Sequence, residues 1–180
     1  PTTLPGSLLV IGGGAIGVEF ASLYNDLGTD VTLVEAAERI TPAEDAEISS
    51  LAERSFKQRG IKVLTNSVVN FLEGAGEQAL ACIKGPGGEH QLKFDQVILA
   101  VGIQGNIEGL GLKSLGVKTE HSFLITDPFG KTNLAGLYAI GDVAGAPWLA
   151  HKASHEAIVC VEKIAGIEGI EPLNKDRVPG

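Results

Sequence analysis

Apolar residues in this chain follow two rhythms, and the alternation between them organises its first hundred positions. Residues 7 to 12 (SLLVIG) form a short unbroken apolar run closing on glycine, the pattern of a strand buried in a parallel sheet. From Ala15 the spacing lengthens. Ile16, Phe20, Leu23 and Leu27 recur every three or four positions, which predicts a helix with one apolar stripe turned inward and Gly28 as its stop. Residues 30 to 35 (DVTLVE), rich in β-branched side chains, return to strand character. A second helix is expected after Thr41 and Glu44 in capping-box spacing, or after Asp45 as its cap. Ile48, Leu51, Ser55 and Phe56 would share one face, and Gly60 would end it. Residues 61 to 64 read as a third strand. Strand, helix, strand, helix, strand in that order requires parallel pairing through right-handed crossovers.

The rhythm then changes. Residues 79 to 84 and 91 to 94 read as short strands joined by Gly85-Pro86-Gly87-Gly88, a turn suited to an antiparallel hairpin. Residues 96 to 101 (QVILAV) return to the buried-strand type, so the first domain is expected to end near Gly105 or Asn106. The rest is punctuated by glycine, with short strands expected around 124 to 126 and 137 to 140 and a last helix over about 150 to 165.

Composition narrows the function classes. With 44% hydrophobic residues and 24 glycines in 180 positions, the chain can bury one full core and part of a second. No apolar run approaches the roughly 20 residues of a membrane span, and no basic start precedes an apolar stretch, so membrane and secreted readings are set aside. The formal charge of -8 is spread along the chain, which argues against nucleic acid as a partner. The two cysteines, Cys82 and Cys160, stand far apart and suit a reducing compartment, a bacterial cytoplasm or a mitochondrial matrix. They are expected to be buried or half-buried thiols, not a redox pair, and no metal site is expected. The chain has no methionine, opens Pro1-Thr2-Thr3 and closes Arg177-Val178-Pro179-Gly180 without a helical or strand-like finish, so both ends are expected to be cuts.

The chemistry lies at the first strand-to-helix junction. Gly12, Gly14 and Gly17 form G-x-G-x-x-G there, and Glu35 ends the next strand, the spacing of a dinucleotide fingerprint. Gly12 permits the tight turn, Gly14 lets backbone approach a pyrophosphate, and Gly17 lets the helix pack near the sheet. The amides from Gly14 through Ala15 and Ile16 then face the anion. Glu35 can accept hydrogen bonds from ribose hydroxyls but repels a 2′-phosphate, so NAD is expected over NADP. Arg39, the one nearby cation, reads as an exposed partner for Glu35 or Glu38. Glu19 sits at the edge of the apolar stripe, either facing the nicotinamide or simply stabilising the helix dipole at the surface.

On these residues, and on ILAVGIQGN at 98 to 106, TNLAGLYAIGDVAG at 132 to 145 and LAHKASHEA at 149 to 157, the chain resembles the flavin-linked pyridine nucleotide disulfide oxidoreductases along nearly its whole length. The resemblance implies an α/β, Rossmann-like NAD-binding domain over 1 to 106, made of a parallel sheet with helices and a small antiparallel meander. Residues 107 to 180 would be part of a central FAD-contacting domain, with an N-terminal FAD domain and a C-terminal interface domain lying outside the chain. It implies that Asp142 accepts a hydrogen bond from the flavin ribityl chain and that Gly141 allows close approach. Leu149, Ala150 and His151 would begin a helix aimed at the flavin ring. Glu19, Val68 and Gly102 are carried over as NAD contacts.

Within the family, the resemblance is to members that reoxidise dihydrolipoamide with NAD+. These serve lipoyl carrier domains of 2-oxo acid dehydrogenase complexes or the glycine cleavage system, and act as homodimers. A mercuric, disulfide or peroxide reductase of the same architecture is the nearest alternative, and a non-catalytic NAD-binding module is another. The family's redox cysteine pair and its histidine–glutamate pair fall outside these 180 residues, so no catalytic residue is assigned and the chain alone is expected to be inactive. His155 and Glu156, adjacent on the last helix, point in different directions and read as a solvated face. Ile103-Gln104-Gly105-Asn106 lacks the basic residues and proline usual in relatives, and Trp148 replaces a smaller residue.

Overall fold

In the computed structural model, which describes residues 3–75 and 77–179, the first apolar run becomes β1 (Ser7–Ile11) and the glycine turn leads into α1 (Ala15–Asp26). β2 (Asp30–Val34), α2 (Ala46–Gln58) and β3 (Lys62–Leu64) follow. Next come β4 (Val68–Ala75), β5 (Gln78–Gly85), β6 (Gly88–Phe94) and β7 (Gln96–Leu99). β7 pairs in parallel with β1 on the side away from β2, so the sheet reads β3-β2-β1-β7. The order reverses between β1 and β7. Parallel sheets take ligands in the crevice at the carboxyl ends of strands flanking such a reversal.

β1 is buried on both faces because each face has its own cover. Leu8 and Val10 join Ala21 of α1 and Phe56 of α2 in one core, while Leu9 joins Ala81, Ile83 and Phe94 of the meander in another. The period of two along a strand separates the two sets. The meander is the antiparallel sheet β4-β5-β6, and its β5–β6 turn is the expected glycine-proline one, with Gly85 opposite Gly88. β4 has no counterpart among the strands expected from sequence.

Two helix faces differ from expectation. Ile16, Phe20, Leu23 and Leu27 are 39–52% exposed, and α1 turns Gly17, Val18, Ala21 and Tyr24 to the sheet instead. The smallest side chains decide which face is inward, because only they allow the helix axis to come close. On α2, Ile48, Leu51 and Ser55 are exposed, and the buried face is Ser49, Ala52 and Phe56. Ser49 tolerates burial because its hydroxyl donates to the Thr41 carbonyl at 3.1 Å. Asp45 is the N-cap residue of α2, and Thr41 lies outside the helix in a left-handed turn with φ 45°.

The chain divides into two compact units, Pro1–Ile103 and Gln104–Gly180. The second holds the hairpin β8 (Thr119–Glu120) and β9 (Phe123–Leu124), a 3-10 turn at Gly141–Ala144 and α3 (Ala150–Ile164). Val117, Leu124 and Ala139 are its buried apolar centre. The strand expected at 137 to 140 is reduced to a single bridge between Lys131 and Tyr138, and that expected at 124 to 126 to the end of β9. Turns take up the backbone groups that would have formed a longer ladder. The Ala139 amide donates to Gly130 O at 2.7 Å, and the Thr132 amide to Leu137 O at 3.0 Å. Among the described residues no helix is long and apolar enough to cross a membrane.

Candidate functional site

The glycine turn closes by backbone contacts that admit no side chain. A Cβ on Gly17 would stand 1.8 Å from Gly12 O, and one on Gly12, whose φ is +105°, would stand 2.3 Å from Ala100 O. Gly14 is different. Its Cβ position has nothing within 4 Å, which leaves an open cradle beside the turn. The Gly12 amide donates to Val34 O at 2.8 Å and the Gly13 amide to Glu35 Oε2 at 2.6 Å. Among the described residues, the amides of Gly14, Ala15 and Ile16 have no protein acceptor, and no acidic residue occupies the first turn of α1. The positive end of the helix dipole is therefore open to an anion.

Glu35 sits against this turn. Its second oxygen accepts the Ala37 amide at 2.7 Å, so two backbone donors orient the carboxylate and leave further lone pairs on each oxygen. The Gly13 amide, one residue before the three expected to face an anion, is thus taken by Glu35, and those three stay open. The Thr41 amide holds the Gly13 carbonyl at 2.7 Å, and the Ser67 amide bonds Glu35 O at 2.9 Å, directly before Val68. Val68 begins β4 and is exposed; Gly102, φ +127°, lies two residues past the Ala100 carbonyl that crowds Gly12. Glu19 is exposed on α1. Arg39 meets Glu38 at 3.3 Å and the Pro42 carbonyl at 3.4 Å, and makes no ion pair with Glu35.

A second constellation lies in the other unit. Gly141 is buried with φ +72°, and Asp142 beside it is exposed. Leu149 is the extended N-cap of α3 with no side-chain cap, so the amides of the first turn, from Ala150 and His151 on, have no capping side chain. The His151 ring nitrogen Nε2 lies 2.9 Å from Pro179 O.

Glu156 is not on a solvated face. Its Oε2 accepts the Gly141 amide at 2.7 Å and Lys152 Nζ at 3.1 Å. Lys152, entirely buried, was not singled out from sequence. The sequence signal is their spacing: Lys152 and Glu156 are four apart, the separation at which helical side chains meet, whereas the adjacent His155 points elsewhere.

The cysteines lie in different units, both buried and unpaired. Cys82 donates to Glu89 Oε1 at 3.0 Å, and that bond, with burial and the Glu89 charge, pushes its thiol pKa up. Burial, with the charge of Asp127, does the same for Cys160.

A glycine turn with open helix-start amides beside an acid, in an α/β unit, is the arrangement the sequence and structure share, and the chain belongs to the pyridine nucleotide-disulphide oxidoreductase family, whose pattern matches residues 1–157. Among individual proteins, it is 52% identical over its whole length to the dihydrolipoyl dehydrogenase of Rhizobium etli and 47% identical to that of Zymomonas mobilis. It spans 38% and 39% of those proteins. LpdA of Mycobacterium tuberculosis matches 96% of the chain with a TM-score of 0.82 at 29% identity, over 37% of its own length. The HOCl-induced flavoprotein disulfide reductase RclA of Escherichia coli matches 98% with a TM-score of 0.83 at 26% identity, over 39% of its length.

Proposed function

We propose that this chain is the NAD-binding portion of a dihydrolipoyl dehydrogenase, followed by part of its flavin-contacting segment. The observation that carries the reading is the pairing of Glu35 with the glycine turn: a carboxylate held by the Gly13 and Ala37 amides beside three unpartnered helix-start amides. Those amides suit a pyrophosphate and the open cradle at Gly14 suits its close approach. The carboxylate suits the adenosine ribose and disfavours a 2′-phosphate, giving NAD over NADP.

In the second unit, exposed Asp142 suits a ribityl hydroxyl, and the uncapped start of α3 at Leu149, Ala150 and His151 suits the electron-rich edge of a flavin. When bound, FAD supplies two-electron chemistry and NAD+ accepts the hydride. The chain's own residues bind and orient. Cys82 and Cys160 are buried in separate units and take no part in this reading. The whole protein would reoxidise dihydrolipoamide on lipoyl carrier domains of 2-oxo acid dehydrogenase complexes, as a homodimer in a bacterial cytoplasm or a mitochondrial matrix.

Calorimetric titration is expected to show NAD+ binding and NADP+ binding at least about tenfold weaker, a difference of about 1.4 kcal/mol set by repulsion between Glu35 and a 2′-phosphate. Glu35→Ala should narrow that preference. The natural gene product should be yellow and reduce NAD+ to NADH while oxidising dihydrolipoamide to lipoamide. Colourless protein with no dihydrolipoamide-dependent NADH formation would sink the assignment, and a yellow one oxidising NADH without reducing lipoamide would move it to another reductase of the family.

A further inference from the structure

A lysine with no exposed surface is costly unless its charge and all three N–H donors are matched. Those of Lys152 are. Nζ donates to Gly141 O at 2.9 Å, to Gly145 O at 2.8 Å and to Glu156 Oε2 at 3.1 Å. The same carboxylate oxygen accepts the Gly141 amide at 2.7 Å, and Lys175 Nζ stands 3.6 Å from the other. Two side chains one helical turn apart on α3 thus grip Gly141 by both its N–H and its C=O, and Gly145 by its C=O. Asp142, the exposed residue, lies between the gripped ends. The turn's own hydrogen bond, Gly145 N to Asp142 O at 3.0 Å, does not tie it to the helix. Apolar residues of similar volume often stabilise as well as a buried ion pair does, so stability alone does not account for this one. Directional hydrogen bonds to backbone carbonyls do what apolar packing cannot, which is to fix the orientation of a turn.

We infer that Lys152 and Glu156 are positioning residues that hold the 141–145 turn so that Asp142 meets the flavin. The inference rests on the proposed flavin reading of Asp142, and the experiment separates the two. In the natural gene product stripped of flavin, FAD is titrated and its fluorescence quenching followed for the parent, Asp142→Ala, Lys152→Met and the double variant. The expected result is weaker FAD binding for Asp142→Ala, at least fivefold weaker binding for Lys152→Met, and a double variant within twofold of Asp142→Ala alone. A purely structural role would weaken binding by the same factor in both backgrounds. That additivity, or unchanged affinity in Lys152→Met, overturns the positioning role while leaving the flavin reading intact. Unchanged affinity in Asp142→Ala overturns the flavin reading, and the positioning role with it. Should Lys152→Met not fold, Glu156→Gln enters the same cycle with the same criteria. Gln keeps an acceptor for Gly141 N–H but leaves the buried ammonium without its counter-charge.

Discussion

Gly14 and Gly17 stand three residues apart in one motif, yet the structure assigns them opposite sensitivities, and alanine at each separates folding from binding. At Gly17 the new Cβ would fall 1.8 Å from Gly12 O, where real contacts do not go below 3.0 Å. The obstacle is backbone at a strand end, so α1 must retreat by about 1.2 Å, the difference of these distances. Overpacking of this kind costs about 3 kcal/mol at the upper end of its usual range. In a unit of this size that lowers the melting temperature on the order of 10 °C. The same retreat carries the amides of Gly14 to Ile16 away from a bound pyrophosphate. Losing one or two charge-assisted bonds at roughly 1.5–3 kcal/mol each would weaken NAD+ about a hundredfold.

Gly14, with φ -72° and ψ -176°, has a backbone any residue adopts and nothing within 4 Å of a Cβ. Gly14→Ala should therefore fold as well as the parent, or better by about 0.4–1 kcal/mol through the unfolded chain. Its methyl nevertheless occupies the cradle, and NAD+ affinity should fall tenfold or more. Differential scanning fluorimetry with NAD+ calorimetry on both variants decides the matter. The reasoning fails if Gly17→Ala melts with the parent, or if Gly14→Ala binds NAD+ as the parent does.

Other expectations follow from the packing. Phe56→Ala removes a ring from the helix–sheet core and a perch for the Arg59 guanidinium 5.7 Å above it; urea unfolding should show a loss of about 3–4 kcal/mol, and under 1 would refute its core role. The Asp95 carboxylate accepts Gln78 Nε2 and the Ser7 amide, each at 2.8 Å, and these bonds hold it below the usual carboxylate range. A depressed folded pKa gives stability that is complete above the unfolded value of about 3.9 and is lost as pH falls through the folded one. Asp95→Asn should thus be less stable than the parent at neutral pH, with the gap closing below about pH 4; a gap independent of pH would refute the linkage. With both thiol pKa values raised, neither Cys82 nor Cys160 should react with Ellman's reagent in native protein at mildly alkaline pH, and both should react once urea unfolds it. Prompt labelling of one thiol in the folded state would contradict its burial.

Features specified by neighbours along the chain were legible without coordinates. The glycine spacing, the β-branched strands, the Gly85-Pro86-Gly87-Gly88 turn and the extent of α3 all follow from local sterics and short-range periodicity, and so does the expectation of an acid at the end of the second strand, where Glu35 directly follows β2. What depended on distant partners was not legible. The inward face of α1 is set by the Gly12 carbonyl crowding Gly17, not by its largest apolar residues, and the buried face of α2 includes Ser49 because Thr41 satisfies its hydroxyl. The grip of Glu35 on Gly13, and that of Lys152 and Glu156 on Gly141, are pairings across 22, 11 and 15 residues. A residue's type announces that it needs a partner; only the folded chain, by bringing remote backbone groups within hydrogen-bond reach, decides which partner it finds.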